Sequence, residues 1–457
     1  MTAMTRRLCW LVMLPVLAAC QSRQPPPTDV EVATAWADLT LRITQTTPAN
    51  SPTYASRCLG YTGLTMYESV VAGHPGYRSL GGRLNGLAPL PQPEATASYH
   101  WPSALNAGQA FILKSLYNQT SDENKRRIDS LEQMITERFS ATVDNARLQR
   151  SAAYGQAVAR HIFTWSKTDG GHRGYLKNFD KRFRLPERPG GWKPPLYAQS
   201  FSHYPLHPHW GRNRTFLADN ARLEAPAMIP YDTSRNSPYF LQFLSVYQKD
   251  KTLTMAEKEC AIWWGDDPDE TFTPPGHSYY LATRAIHQTQ PSLIRCAETY
   301  ARVGMAVADA FINCWKWKYL FFSERPNTFI PEHIDPQWNS FWPEPPFPAF
   351  PSGHAIQAAA AATVLTDLYG EQFALVDSAH ADRPRDRLRD VAFRPRQFGS
   401  FWQIAEETAL SRFYGGIHTP QDNEAGLQKG RVIGQNINAL PWTHRPEASA
   451  AAASGNR

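Results

Sequence analysis

The stretch Ser411-Arg412-Phe413-Tyr414-Gly415-Gly416-Ile417-His418-Thr419-Pro420-Gln421-Asp422 holds a helix end, a break and a helix start within twelve residues. Arg412 falls in the last turn of one helix, and Gly415-Gly416 ends it. Thr419 then caps the next helix, with Pro420 at its first position and Asp422 completing a capping box. His418 sits just before the cap, directed at the space between the two helices. Asp422 is near enough to orient its other ring nitrogen. Taken alone, these residues read equally well as two helix caps and an incidental histidine, so the decision lies in what surrounds them.

Moving upstream, Pro351-Ser352-Gly353-His354 precedes an alanine-rich helix that starts near Ala355. A helix start presents free N–H groups and partial positive charge, which suits an anion. Glycine lets the backbone approach closely, and the Ser352 hydroxyl adds a donor. The bland reading is a serine N-cap followed by an exposed histidine. Further upstream, Lys318-Tyr319-Leu320-Phe321-Phe322-Ser323-Glu324-Arg325-Pro326 places two cations two helical turns apart, so both are expected on one helix face. Pro326 is expected to end that helix. Trp315, Trp317, Tyr319, Phe321 and Phe322 surround these cations, and a partly buried cation needs an anion. One lysine, two arginines, two histidines and a Ser-Gly turn are the components for holding a tetrahedral, multiply charged oxyanion.

The pattern resembles the vanadium-dependent haloperoxidases and their relatives in the type 2 phosphatidic acid phosphatase superfamily. Its motifs span about 266–422. The resemblance implies an all-α, helical-bundle fold with long irregular loops and an oxyanion held by Lys318, Arg325, Arg412, Ser352 and the Gly353 N–H. His418 is then the vanadium ligand, His354 the general acid/base, and Lys318 also polarises bound peroxide. Trp315 and Phe347 match aromatic positions on the halide side. Trp263-Trp264-Gly265-Asp266 resembles a segment whose aspartate pairs with the third-segment arginine, here Asp266 with Arg412. The competing reading of Asp266-Asp267-Pro268-Asp269-Glu270 is a solvated acidic loop or a calcium site. The implied cofactor is vanadate, with phosphate as a competing oxyanion. The implied partners are hydrogen peroxide, a halide and a small organic acceptor. Two alternatives use the same residues: an acid phosphatase with a phosphohistidine at His418, and a non-catalytic phosphate-binding protein. The complete set of His354, His418 and Asp422 argues against the second, because binding alone does not need two histidines.

The rest of the chain fits this frame. At 457 residues, with 42% hydrophobic residues and 12% aromatic ones, it is a well-packed globular protein. A net charge of +6, two of which come from Arg6 and Arg7 at the extreme N-terminus, argues against nucleic-acid binding. No phosphate-binding loop, Gly-x-Ser-x-Gly elbow or dinucleotide fingerprint is present. Helical periodicity covers 30–46, 61–72, 104–117, 123–140, 145–167, 238–249, 255–264, 279–285 and about 291–322. Residues 168–236 are rich in Gly, Pro, Arg and His without a sustained period, and are expected to form a long irregular excursion. No strand alternation stands out.

The N-terminus reads as a targeting segment: Arg6 and Arg7, a short apolar run, then Leu17-Ala18-Ala19-Cys20. This resembles a bacterial lipobox, cleaved after residue 19 and lipidated on Cys20, with 20–29 as a tether. A single domain is expected over 30–445 and a disordered tail over 446–457. No other segment reaches the roughly 18 apolar residues that span a bilayer, so membrane contact is expected through the anchor only, on the periplasmic face of the outer membrane. Cys58, Cys260, Cys296 and Cys314 remain, with no pairing chosen by the sequence. His203, His207 and His209 invite a zinc reading, which the irregular proline-rich context disfavours. His277 follows Thr273-Pro274-Pro275-Gly276 and is expected near the site, without an assigned role.

Overall fold

The structure is a computed structural model and describes residues 25–194, 202 and 204–444. The leader, Cys20, the first part of the tether, His203 and the tail lie outside the described residues. The α-helices are α1 (Asp29–Thr46), α2 (Pro52–Glu68), α3 (Trp101–Leu116), α4 (Asp122–Phe139), α5 (Asn145–Ser166), α6 (Ala218–Ala221), α7 (Pro238–Asp250), α8 (Met255–Trp263), α9 (Thr273–Thr289), α10 (Leu293–Phe321), α11 (Pro326–His333), α12 (Gly353–Tyr369), α13 (Phe401–Tyr414) and α14 (Pro420–Asn438). The expected all-α bundle is the fold observed. One small exception is an antiparallel pair, β1 (Leu375–Asp377) with β2 (Arg396–Phe398), in register Leu375 to Phe398. At three residues per strand, alternation is too short to register as a sequence signal.

The core is organised around α10, which is buried on nearly every face because α2, α9, α12 and α14 pack about it. That encirclement explains its sequence, apolar or small through Ala297, Ala301, Val303, Ala306 and Ala310. The polar residues it does bury are paired: Arg302 bonds Glu298 and, at 2.7 Å, Asp367. Among the described residues, no helix is long and apolar enough to cross a membrane.

Two features position the site. First, α14 lies against α12 at backbone contact through Gly426, Gly430 and Gly434, spaced one turn apart. A Cβ on Gly430 would sit 2.2 Å from the Ile356 carbonyl oxygen, so only glycine fits. The alanines of α12 supply the matching flat surface. This approach sets the starts of α12 and α14 side by side, where the Ser352 N–H donates to the Asp422 carbonyl at 2.9 Å. Second, the 168–236 excursion is tied to α10 by Asp309. Its carboxylate accepts from the Phe216 and Leu217 N–H groups at 2.6 and 3.2 Å and from Asn220 Nδ2 at 2.8 Å. Three donors satisfy a buried carboxylate that would otherwise be very unfavourable.

The path between the two cations differs from expectation. Helix α10 stops at Phe321 because Phe322 takes a left-handed conformation (φ 48°), and Arg325 becomes the N-cap of α11. Pro326 therefore opens a helix instead of closing one, occupying the first position, where a missing N–H costs nothing. Lys318 and Arg325 sit on either side of a corner and not on one helix face.

Candidate active site

A cavity of about 640 Å³ opens at the starts of α12 and α14. His354, Gly353, Arg412 and His418 form its inner wall, with Trp315, Phe347, Phe311 and Leu206 beside them. The loop 265–270 closes one side, and Tyr175, Leu176 and Phe179 of the excursion close another. The irregular stretch thus completes the cavity that the bundle begins.

His418 is buried, and its Nδ1 lies 3.1 Å from Asp422 Oδ2, which also accepts the Thr419 N–H at 2.9 Å. A carboxylate on Nδ1 fixes the tautomer: Nδ1 carries the proton and Nε2 keeps its lone pair. Nε2 faces the Arg325 guanidinium, with Nη1 at 3.4 Å. Burial, then the cations Arg325 and Lys318, hold the imidazole well below its ordinary range, so it is neutral. Burial pushes the Asp422 carboxyl up to about 6, opposed by the Thr419 N–H and the two cations.

The three cations are all fully buried. Lys318 Nζ donates to the Pro348 and Ala349 carbonyls at 2.9 and 2.6 Å. Burial, followed by repulsion from Arg325, pulls it down to about 7, while Cys314 and Asp422 oppose the shift. Arg325 donates to the Phe347 and Ile417 carbonyls at 2.9 and 2.8 Å, and its Nε lies 3.8 Å from buried Glu344. Arg412 donates to the Ala261 carbonyl at 2.7 Å and the Ser411 hydroxyl at 3.0 Å. Burial lowers each arginine to about 10. Three desolvated basic side chains in and behind one pocket wall raise the free energy of the fold, and a multiply charged anion would relieve it.

The aromatic pair is also in place. Trp315 and Phe347 meet at 4.9 Å between centroids, and Lys318 Nζ lies 5.2 Å from the Phe347 ring centre. Trp315 is pinned by Nε1–H donation to the Leu206 carbonyl at 3.1 Å.

Two buried polar atoms on this wall have no partner: Arg412 Nη1 and His354 Nε2. Buried donors and acceptors are almost always satisfied. Together with the His418 Nε2 lone pair and the Gly353 N–H at a helix start, they make a donor set suited to a tetrahedral oxyanion such as vanadate or phosphate. His354 is held well below its ordinary range by burial and then Arg412, opposed by Asp266 and the carbonyls of Gly265 and Trp264. Lys318, Arg325 and Ser352 stand directly behind the wall. A Cβ on Gly353 would lie 4.0 Å from Lys318 Cε.

The expected Asp266–Arg412 pair is not made. Asp266 is buried, with Oδ2 2.9 Å from His277 Nδ1 and Oδ1 2.8 Å from His380 Nε2. Of the nearby acids, Asp267 rather than Asp266 exerts the larger pull on Arg412, and burial raises the Asp267 carboxyl to about 7. The acidic loop is exposed at Asp269 and Glu270, half-buried at Asp267 and buried at Asp266. Asp377 and His380, which the sequence left unremarked, join this cluster, and His277 is at its centre. The one signal for it was a histidine near the start of a helix, eleven residues after Asp266. The four remaining cysteines are buried and free. His207 is a core residue, with Nε2 3.0 Å from the Gly174 carbonyl and Nδ1 against Thr53, while His209 is exposed and meets Asp180. They are not a zinc pair.

Fold and pocket both have counterparts among known proteins. Residues 298–442 match the VCPO second helical-bundle domain. The vanadium chloroperoxidase of Curvularia inaequalis is 26% identical over 252 residues, 40% of this chain and 41% of that protein, so the chain aligns with about two fifths of that relative. A bacterial vanadium-dependent iodoperoxidase crystal structure superposes with TM-score 0.80 and 29% identity, over 93% of this chain and 99% of the other. A holo-type bacterial vanadium-dependent chloroperoxidase shares the fold with TM-score 0.63 and 14% identity, over 91% of this chain and 94% of the other. Over 298–442 in sequence, and over most of its length in fold, the chain is similar to vanadium-dependent haloperoxidases.

Proposed function

We propose that this protein is a vanadate-dependent haloperoxidase in which halide and hydrogen peroxide, with one proton, give hypohalous acid and water. The observation that carries this reading is the juxtaposition of His418 Nε2 and the unpartnered His354 Nε2 and Arg412 Nη1 beside the Trp315–Phe347 wall. When bound, vanadate supplies a Lewis-acidic centre that activates peroxide without changing its own oxidation state. His418 Nε2 is the ligand, and Asp422 keeps that lone pair available by holding the proton on Nδ1. Lys318, Arg325, Arg412 and the Gly353 N–H neutralise the anionic charge. His354 is neutral in the free pocket, so it can take a proton at Nε2 and return it as the halide is oxidised. Trp315 and Phe347 keep water from the halide side.

The test is turnover. Purified protein loaded with orthovanadate should oxidise bromide or iodide when hydrogen peroxide is added, halogenating a dione reporter. His354→Ala should reduce the rate by about 10²–10⁴-fold, the range for a positioned acid/base. Absence of halide-dependent turnover, with rapid phosphomonoester cleavage by the vanadate-free protein, would replace this reading with the phosphatase one. We further propose that Cys20 carries a lipid anchor in the bacterial envelope, on the strength of the Leu17-Ala18-Ala19-Cys20 box.

A further inference from the structure

Against one side of the cavity, which only Asp266 of its members lines, lies a buried cluster of two aspartates and two histidines. Both ring nitrogens of His277 meet carboxylate oxygens: Nδ1 to Asp266 Oδ2 at 2.9 Å and Nε2 to Asp377 Oδ2 at 2.8 Å. A carboxylate oxygen accepts and does not donate, so each nitrogen must carry a proton and the ring is a cation. Burial opposes that charge, yet the flanking aspartates Asp266 and Asp377 hold the imidazole at about 10. Asp377 is itself fixed by Trp263 Nε1–H at 2.7 Å and the Ala379 N–H at 2.9 Å. Asp266 takes its second bond from His380 Nε2. The His277 ring stacks on Trp264, with centroids 4.5 Å apart and planes 28° apart, which is a favourable place for a cation.

The cluster also brings Asp266, His277 and His380 ligand atoms within 4.8 Å of one another. A metal would need a free lone pair on His277, and both are committed as N–H donors. A charge-holding role fits the geometry where a metal site does not.

The loop 264–267 links this cluster to the cavity. Asp266 adopts a left-handed conformation (φ 49°), unusual for a residue with a side chain and sustained by its two histidine bonds. Gly265, Asp266 and Asp267 line the cavity, and the carbonyls of Trp264 and Gly265 approach the His354 ring closely enough to favour its protonated form.

We propose that His277 is a positioning residue, an imidazolium clamped between Asp266 and Asp377 that holds the loop 264–267 in the cavity wall beside His354 and so fixes the setting of that ring. The role assigned to His354 rests on the proposed function, but the clamp itself does not. Its consequence for turnover is a loss in kcat without loss of anion binding, because no cradle residue is touched.

The experiment uses full-length protein labelled with ¹⁵N-histidine, free of vanadate, with ring signals assigned through His277→Gln and His354→Gln. In the wild type, His277 should show two protonated ring nitrogens from pH 6 to 9, and His354 a single set of ring signals. In H277Q, the His354 signals should shift or broaden as the loop beside it loosens. In the same variant kcat for bromide oxidation should fall at least tenfold, while the Kd for inorganic phosphate stays within threefold. If H277Q does not fold, Asp377→Asn keeps the shape and removes one charge: His277 should then lose a ring proton at lower pH, with a smaller fall in kcat. A His277 ring with an unprotonated nitrogen at pH 7 would overturn the clamp, as would unchanged His354 signals and kcat in both variants. Wild-type protein with the His277 signature and the H277Q shift, but no halide turnover, would sink the haloperoxidase reading and leave the positioning role standing.

Discussion

Replacing Lys318 with methionine separates an anion-binding lysine from a structural one. Lys318 is fully buried and held at about 7, hydrogen-bonded to the Pro348 and Ala349 carbonyls. At pH 8 it is about nine-tenths neutral, and folding it in that state costs on the order of 3 kcal/mol relative to a lysine of ordinary pKa. Lys318→Met removes that cost and loses two neutral hydrogen bonds of about 1 kcal/mol each. The two effects nearly cancel, so the melting temperature should change by only a few degrees. Anion binding should change far more. A multiply charged oxyanion beside Nζ restores the ammonium, so phosphate binding at pH 8 should draw about 0.9 proton from solution to this residue. The variant also loses a charge-assisted bond of about 1.5–3 kcal/mol, about 10- to 150-fold in Kd. Titration calorimetry with inorganic phosphate, in two buffers of different ionisation enthalpy, reads both quantities. Phosphate affinity within threefold of wild type in K318M, with unchanged proton uptake, would refute Lys318 as part of the cradle.

Asp422→Ala removes the acceptor of both His418 Nδ1 and the Thr419 N–H. Loss of the cap should destabilise the fold by about 0.5–2 kcal/mol in thermal melts, and vanadate affinity should fall further than the melt alone explains. Gly430→Ala drives a methyl to 2.2 Å from the Ile356 carbonyl oxygen, and separating α12 from α14 should cost about 1–3 kcal/mol in denaturant unfolding and reduce phosphate affinity. Cys20→Ser should leave an unacylated, uncleaved precursor by mass spectrometry, and cleavage elsewhere with an unmodified Cys20 would remove the anchor.

Much of the helical frame could be read from periodicity and caps: Thr28, Ser237, Thr254 and Thr419 each start a helix where the pattern begins. The pocket was legible for a related reason. His354, Arg412 and His418 are each tied to a helix terminus, and termini carry local signals that side-chain packing does not. What sequence missed was long-range. Pro326 was read as a stop because a proline breaks a helix interior, but the left-handed Phe322 had already ended α10. The pairing of Asp266 with Arg412 came from the resemblance of Trp263-Trp264-Gly265-Asp266 to a haloperoxidase segment. The actual partners of Asp266 come from α9 and from the segment after β1, more than a hundred residues away for His380. The 168–236 excursion has no periodicity because Asp309 and the cavity hold it in place, not a repeating apolar face.

The most direct measurement is a crystal structure of the protein after exposure to orthovanadate. The account predicts anion density bonded to His418 Nε2, with Arg412 Nη1 and the Gly353 N–H directed at its oxygens and His354 Nε2 facing it. Lys318 or Arg325 should have turned from the carbonyls of residues 347–349 toward the anion. Density elsewhere, or a well-ordered pocket that stays empty at vanadate concentrations that saturate the protein in solution, would contradict it.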